Sequence, residues 1–397
     1  MQIKGKNMRI LLVCNNVSLF GGIERVVCNL ANAFAERGCE VVVYSLEPQK
    51  YNGFYVYNSV ERGINFIWYQ GCHRAGFLKF SKPKSLAGKF WREVKRLLVF
   101  PVLYYFKSDK SRKFKKVLKK FNPHIVIDNI YTDDAKKLFK YFAKEKVIRV
   151  VHTSFDTHTK FNSGLSNFCQ IVLLTPQEMG EFKQKYPQAN FHIIPNFIPE
   201  IPKQNIDYVN KVVLSVGRMG EGNQKGFFRL VDIWEIVQKD LRFGEWKLHI
   251  VGDGLLKEQI QEKIKTKNLQ DSIILKPFTN QIEQEYLQAS IYVMTSHYEG
   301  LPMVLIEAES FGLPCIAFDV KTGPSDIIEN EKSGFLIPDG DLEGYAEKLK
   351  ALMQNQNLRE SMGKRAKEIV QEKFSKEVIM KKWFELFERL SIKKRKY

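Results

Sequence analysis

Short apolar runs alternate with helical stretches along almost the whole chain, and they do so in two successive series. The first series reads Met8–Cys14, Glu40–Leu46, Gly63–Tyr69, Pro123–Asp128, Val147–His152, Ile171–Leu174 and Phe191–Ile194 as strands. Helices over Ile23–Arg37, Thr132–Lys144 and Pro176–Tyr186 lie between them. The second series reads Val212–Gly217, Lys247–Val251, Ser272–Leu275, Ile291–Thr295, Pro314–Phe318 and Gly334–Ile337 as strands, again with helices between, and closes in helices over 342–353, 358–373 and 376–390. Strands such as Met8–Cys14 are apolar on both faces, the pattern of a parallel sheet covered by helices on both sides. Between the series, Pro195–Asn210 carries Pro195, Pro199 and Pro202, is polar and shows no periodicity, so it reads as a linker. This pattern predicts an α/β protein of two doubly wound Rossmann-like domains facing a cleft, over 1–195 and 196–375, with a helical tail over 376–397.

Bulk properties narrow the class. A chain of 397 residues with 44% hydrophobic and 27% charged residues is globular and long enough for two or three domains. The six cysteines (14, 28, 39, 72, 169 and 315) form no C-x-x-C pair, which reads as reduced thiols in a cytosolic protein. The seven histidines show no metal-binding spacing, so no metal is expected. The start, Met1–Cys14, is too short for a signal-peptide core, and the apolar run Leu97–Phe106 is broken by Pro101, so no membrane-spanning helix is expected.

The net charge of +18 is concentrated. Arg74–Lys120 holds sixteen Lys and Arg against Glu93 and Asp109, a net of +14 in one segment. Such a patch implies an anionic partner at one place. Within it, Lys89, Arg92, Lys95 and Arg96 interleave with Phe90, Trp91, Val94 and Leu97, which suits a helix lying on an anionic membrane. Ser111–Phe121 is a second basic helix. Nucleic-acid binding shares the charge logic, and a solvated lysine-rich face is the plain alternative.

The chemistry-bearing stretch is E-G-L-P-M-V-L-I-E, Glu299–Glu307. A strand over 291–295 leads into a polar loop, Pro302 suits the first turn of a helix, and Gly312 suits its end. Glu299 then lies in the loop and Glu307 about one and a half turns into the helix, on either side of the N–H groups of Gly300 and Leu301. Free N–H groups at a helix start seat phosphate, and the flanking carboxylates suit sugar and ribose hydroxyls. A capped helix with a core face (Val304, Leu305, Ala308, Phe311) and two solvated glutamates fits the same residues; E-x7-E alone does not separate the two. Weaker signals stand elsewhere. Gly21-Gly22 at a helix start allows close approach of a ligand, or makes a tight turn. His152 ends a strand, where ligands bind in open α/β sheets, though a lone histidine is more often structural. Arg218–Gly226 holds three glycines with Arg218 and Lys225, which can grip phosphates. Asp339-Gly340-Asp341 spells D-x-D, but its place before a helix reads as a turn and N-cap.

Taken together these motifs resemble family-4 glycosyltransferases of the GT-B fold. The carrying residues are Gly21-Gly22-x-Glu24-Arg25, Val216–Arg218 with Lys225-Gly226, V-G-D-G at Val251–Gly254, the Glu299–Glu307 stretch, and G-P-S-D-I-I with G-F-L-I over Gly323–Ile337. The resemblance implies that Gly22, Gly252, Gly300 and Leu301 lie against the donor. It implies that Pro277 and Phe278 border the base, that Glu307 binds ribose, and that His152 and Glu299 contact the transferred sugar. Arg218 and Lys225 would neutralise the departing diphosphate. The first domain would bind the acceptor, and the last helix would cross back onto it.

The activity so implied is retaining transfer of a hexose or N-acetylhexosamine, without a metal or other cofactor, from a nucleotide sugar of the UDP type. The acceptor would be a lipid-linked or lipid-anchored oligosaccharide of cell-envelope glycan synthesis, met at the inner face of the cytoplasmic membrane over segment 74–120. A UDP-sugar 2-epimerase shares the fold but has no need of the basic aromatic segment. A nucleic-acid-binding protein would leave Glu299, Glu307, Arg218 and Lys225 unexplained, and no nucleic-acid partner is expected.

Overall fold

A computed structural model describes residues 8–17, 21–47, 64–68, 112–130, 142–143, 146–161, 164–204 and 206–392. The membrane-patch residues Lys89, Arg92, Lys95 and Arg96, and most of the helix expected over Thr132–Lys144, lie outside them. The first domain is a parallel sheet of β1 (Arg9–Cys14), β2 (Glu40–Ser45), β3 (Ile64–Trp68), β4 (Ile125–Asp128), β5 (Val147–Val151), β6 (Gln170–Leu173) and β7 (Asn190–Ile193), in the order β3-β2-β1-β4-β5-β6-β7. The second is a parallel sheet of β8 (Val212–Val216), β9 (Lys247–Val251), β10 (Ile273–Lys276), β11 (Ile291–Met294), β12 (Cys315–Phe318) and β13 (Gly334–Ile337), in the order β10-β9-β8-β11-β12-β13. The helices are α1 (Gly22–Ala35), α2 (112–121), α3 (Phe155–Phe161), α4 (Met179–Lys185), α5 (Phe227–Gln238), α6 (Lys257–Thr266), α7 (Ile282–Gln288), α8 (Met303–Ser310), α9 (Pro324–Ile327), α10 (Leu342–Gln354), α11 (Gln356–Ile369) and α12 (Lys376–Ile392). The chain is a mixed α/β protein of two Rossmann-like domains.

Strand β1 shows why the sheets are sandwiched. Leu11 pairs with Val42 on one side and Val126 on the other. Ile10 and Leu12 pack with Val26, Val27, Leu30 and Phe34 of α1, whereas Leu11 and Val13 pack with Phe114 and Leu118 of α2. Period-2 alternation in the strand meets helical periodicity on both faces, so each face needs a covering helix.

Both sheets reverse strand order at one place, between β1 and β4 in the first and between β8 and β11 in the second. The loops leaving these strands diverge there and leave a crevice at the carboxyl edge of each sheet. Every residue proposed from sequence as a donor or sugar contact, apart from Glu307 on α8, follows a strand end or opens a helix on those two edges.

The structure refines three local expectations. Pro302 is the N-cap of α8, with extended backbone (φ −72°, ψ 100°), and the helix itself starts at Met303. The segment read as one helix to Lys373 is α-helical only to Ile369 and then widens into a π-helical turn over Val370–Phe374. That turn buries Val370 and Phe374 together before the chain extends at Ser375. Helix α3 has no counterpart in the sequence reading; its seven residues are too few for periodicity, and its signal is the N-cap Ser154, whose Oγ accepts from Thr157 N at 3.4 Å.

Helix α12 lies on the first domain. Phe34 of α1 packs edge-on against Trp383 and Phe384, with centroids 6.1 Å apart in each case, and against Phe387 at 5.6 Å. Lys376 pairs with Glu36 at 2.8 Å, and Ile198 N donates to Phe374 O at 2.9 Å. The linker and the last helix thus tie the domains side by side. Trp383 is 2% exposed, so Trp383→Ala is expected to lower stability by about 3–5 kcal/mol, as removal of a buried large aromatic does. Urea denaturation of the full chain checks this; a loss under about 1 kcal/mol would mean the helix is not held by this cluster.

Candidate active site

On the second sheet, four neighbouring strands deliver the candidate residues to one edge. Arg218 follows β8, Gly252 follows β9, Pro277 and Phe278 follow β10, and the Ser296–Leu301 loop follows β11. Because these strands are parallel, all four loops open on the same side.

The loop after β11 is held by three grips. Gly226 has left-handed backbone (φ 66°), and a Cβ there would lie 1.8 Å from Thr295 O, so only glycine allows the approach. Thr295 Oγ1 donates to Gly226 O at 3.0 Å. Arg229 of α5 donates from Nε to Thr295 O at 2.6 Å, donates to Ser296 O from its Nη2, and pairs with Asp339 at 2.7 Å. Its guanidinium also lies 4.0 Å from the Phe318 ring centroid. The result is a rigid platform for Glu299, which is 7% exposed and accepts from Lys225 Nζ at 2.7 Å. Glu299 O accepts from Thr322 Oγ1 at 2.6 Å. The N–H groups of Gly300 and Leu301 donate to no group among the described residues. Arg218 is exposed and makes no ion pair among them. One cation, Lys225, and two open N–H donors therefore stand beside one buried carboxylate, with Arg218 exposed on the same sheet edge, an arrangement that can take an anion.

The first domain supplies the opposite wall. Gly22 is the first residue of α1 and exposed, with open space where a side chain would stand. His152 follows β5, and a Cβ on Gly300 would lie 2.5 Å from His152 O, so the two domains meet in backbone contact here. The His152 ring lies 2.9 Å, Nε2 to Oδ1, from Asn129 at the end of β4. Beneath it Asp128 and Arg149 form a fully buried ion pair. Burial, and secondarily the Arg149 charge, pull the His152 pKa down to about 4, so the ring is neutral at pH 7.

Further contacts cross the cleft. Arg25 of α1 pairs with Glu307 of α8, whose other oxygen accepts from Tyr286 Oη at 3.1 Å. Lys321, after β12, pairs with Asp156 at 3.3 Å, Glu178 at 3.5 Å and Glu181 at 3.0 Å. Gln177 donates to Ser325 Oγ at 2.5 Å and accepts from Gly323 N at 3.3 Å. Between α3 and these loops lies a cavity of about 480 Å³ lined from both domains, Asp156 and Thr157 on one side and Tyr298, Glu299 and Lys321 on the other.

The structure thus brings Lys225 to Glu299 and Gly300 to His152. It places Arg218, Gly252, Pro277 and Phe278 on one edge, with Gly252 N donating to Lys276 O at 3.0 Å just before Pro277. Gly252 has a packing reason of its own: with φ 154°, a Cβ would lie 1.9 Å from Gly217 O. Phe278 is 56% exposed. Arg229, Asn129, Tyr286 and Lys321 carry no signal in the sequence beyond an arginine amid the apolar residues of α5, and Arg25 enters only as a motif letter. Asp341 caps α10 by accepting from Gly344 N at 2.9 Å while Asp339 holds Arg229, so both acids of D-x-D are engaged. Among the described residues no three His, Cys, Asp or Glu side chains cluster as a metal site.

Known proteins resemble this chain in sequence and in fold. Residues 20–200 match the family model described as glycosyltransferase family 4, and residues 197–369 match the model described as glycosyl transferases group 1. The chain is 28% identical over 388 residues to the amylovoran biosynthesis glycosyltransferase AmsD of Erwinia amylovora, covering 94% of this chain and 98% of that one. It is 26% identical over 353 residues to the lipopolysaccharide 1,6-galactosyltransferase of Escherichia coli K12, covering 85% and 87%. Among solved structures, a mutant of S. aureus TarM in complex with Fondaparinux, α-GlcNAc-glycerol and UDP superposes with a TM-score of 0.73 at 20% identity, covering 96% of this chain and 99% of that one. The chain is therefore an enzyme, a glycosyltransferase of the two-domain GT-B architecture, with a family 4 domain followed by a group 1 domain.

Proposed function

We propose that the cleft transfers a hexose or N-acetylhexosamine from a UDP-sugar, with retention of configuration, to a lipid-linked or lipid-anchored glycan of the cell envelope. The observation that carries the reading is the part-buried Lys225–Glu299 pair next to the open N–H groups of Gly300 and Leu301, on the sheet edge that also carries Arg218. A departing diphosphate gains negative charge as the sugar leaves. Preorganised cations and N–H dipoles stabilise it without reorganising at that moment. Arg218 and Lys225 take the phosphates, and Glu299 and His152 hold sugar hydroxyls. Glu307 receives the ribose, and the base lies along Gly252, Pro277 and Phe278. In the step itself the bond from the anomeric carbon to phosphate oxygen breaks, and the bond to the acceptor oxygen forms on the same face. The acceptor proton passes to the phosphate oxygen that leaves. Glu299 already serves Lys225 and acts as a hydrogen-bond acceptor, not a nucleophile. No metal takes part in this scheme.

Support for the donor comes from the TarM structure, a complex with UDP, and support for a hexose and an envelope glycan from the E. coli lipopolysaccharide 1,6-galactosyltransferase. Support for a membrane acceptor comes from the charge of segment 74–120. Among the described residues, no helix is long and apolar enough to cross a membrane.

Glu299→Ala is expected to lower transfer by at least about 10²-fold in protein that is still folded at the assay temperature by circular dichroism; near-normal turnover would remove Glu299 from the mechanism. Replacing Lys89, Arg92, Lys95 and Arg96 together by Gln should release the protein from anionic vesicles without changing UDP affinity, and unchanged co-sedimentation would count against the membrane reading. Because His152 is neutral above about pH 4, its ionisation should leave no inflection in the rate between about pH 5 and 8. An inflection near about pH 6.5 that disappears in His152→Asn would show a protonated ring at work.

A further inference from the structure

We infer that Arg25 is a positioning residue for the nucleotide: it reaches across the cleft and sets the orientation of Glu307, so that ribose binding depends on the closed arrangement of the domains. This rests on the reading of Glu307 as the ribose carboxylate. Arg25 is the fourth residue of α1, on the first domain, and its guanidinium pairs with Oε1 of Glu307, on the second domain. Oε2 of the same carboxylate accepts from Tyr286 Oη at 3.1 Å. Tyr286 is rigid: it is 1% exposed and its ring stacks on Phe311 at 5.1 Å and 20°. One oxygen is thus fixed from within its own domain and the other from the facing one.

A carboxylate offers about four lone-pair sites. Arg25 and Tyr286 each use one, which leaves one acceptor site on each oxygen, the number a vicinal diol requires. The pair is neither sealed nor solvated, since the Arg25 and Glu307 side chains are 26% and 14% exposed. A ligand can reach the carboxylate while Arg25 stays in place. If the cleft opens, Glu307 keeps only the Tyr286 contact among those described here and can rotate about it. Nucleotide binding and closure are then coupled, and the coupling is reciprocal. The Lys321 and Gln177 contacts also hold the domains together, but they touch neither Glu307 nor Tyr286. Among the described contacts, Arg25 alone joins the facing domain to the ribose carboxylate.

The test is calorimetric binding of UDP and of 2′,3′-dideoxyuridine diphosphate to the full-length wild type, Arg25→Met and Arg25→Lys, with the guanosine pair run in parallel. Arg25→Met should bind the ribonucleotide about tenfold more weakly than wild type. Arg25→Lys should recover part of the loss. The dideoxy nucleotide, which has no diol for Glu307, should bind wild type and Arg25→Met within about twofold of one another. Equal weakening of both nucleotides in Arg25→Met would make Arg25 a phosphate or general domain contact and overturn the inference. Equal binding by all three proteins would overturn it as well. A wild type that binds the ribo and dideoxy forms equally would take Glu307 off the ribose, a failure of the underlying site reading, and the inference would fall with it.

Discussion

A carboxylate that is 7% exposed needs a cation and hydrogen bonds, and the site around Glu299 is built to supply them. Lys225 provides the charge at 2.7 Å. Lys225 in turn is placed by Gly226, which can approach Thr295 O only because it has no side chain. Arg229 fixes the same strand end through two carbonyls and is itself fixed by Asp339 and Phe318. The pair is therefore the visible end of a buried polar network that spans α5, β11, β12 and the loop after β13. A network of this kind is costly if one member is missing, which gives its residues a shared reason to be present.

The second constraint is that part of the proposed site, Gly22 and His152, belongs to the first domain. His152 O and Gly300 are in backbone contact, Arg25 reaches Glu307, and Lys321 meets three acids of the first domain. Helix α12 returns to pack on Phe34, next to the same α1 that carries Gly22 and Arg25. The chain thus places one helix under two demands: its apolar face anchors the second domain's tail, and its N-terminal turn faces the cleft. A change in how α12 packs would be felt at Gly22 and Arg25 without touching either.

Much of the fold is legible in the sequence because parallel strands buried on both faces, such as β1 and β8, read as short apolar runs, and because glycines and prolines punctuate them. Boundaries fail where periodicity is too short or conformation departs from the α-helix, as in the seven residues of α3 and the π-helical turn after Ile369. The site is legible as a set of residue types, and its wiring is not. Arg229 reads as one charge in an apolar helix, and its partners Thr295, Ser296 and Asp339 lie far along the chain. Glu307 reads as a free ligand, whereas the fold hands it Arg25 and Tyr286. Glycines mislead in the other direction: Gly252 and Gly300 suggest room for a ligand, yet each also has a neighbouring carbonyl, of Gly217 and His152, that excludes a side chain. Spacing along a sequence carries the periodicity of elements, not the pairings made between them.

The central claim is that this cleft binds and cleaves a nucleotide sugar. The most direct measurement is nucleotide release by the purified full chain from UDP-Glc, UDP-Gal, UDP-GlcNAc, UDP-GalNAc and GDP-Man, in EDTA, with and without a mixed polyprenyl- and glycolipid extract. The account predicts release from one UDP-sugar that depends on the extract. No release from any of them, together with no calorimetric binding of UDP or of any of these donors, would contradict it.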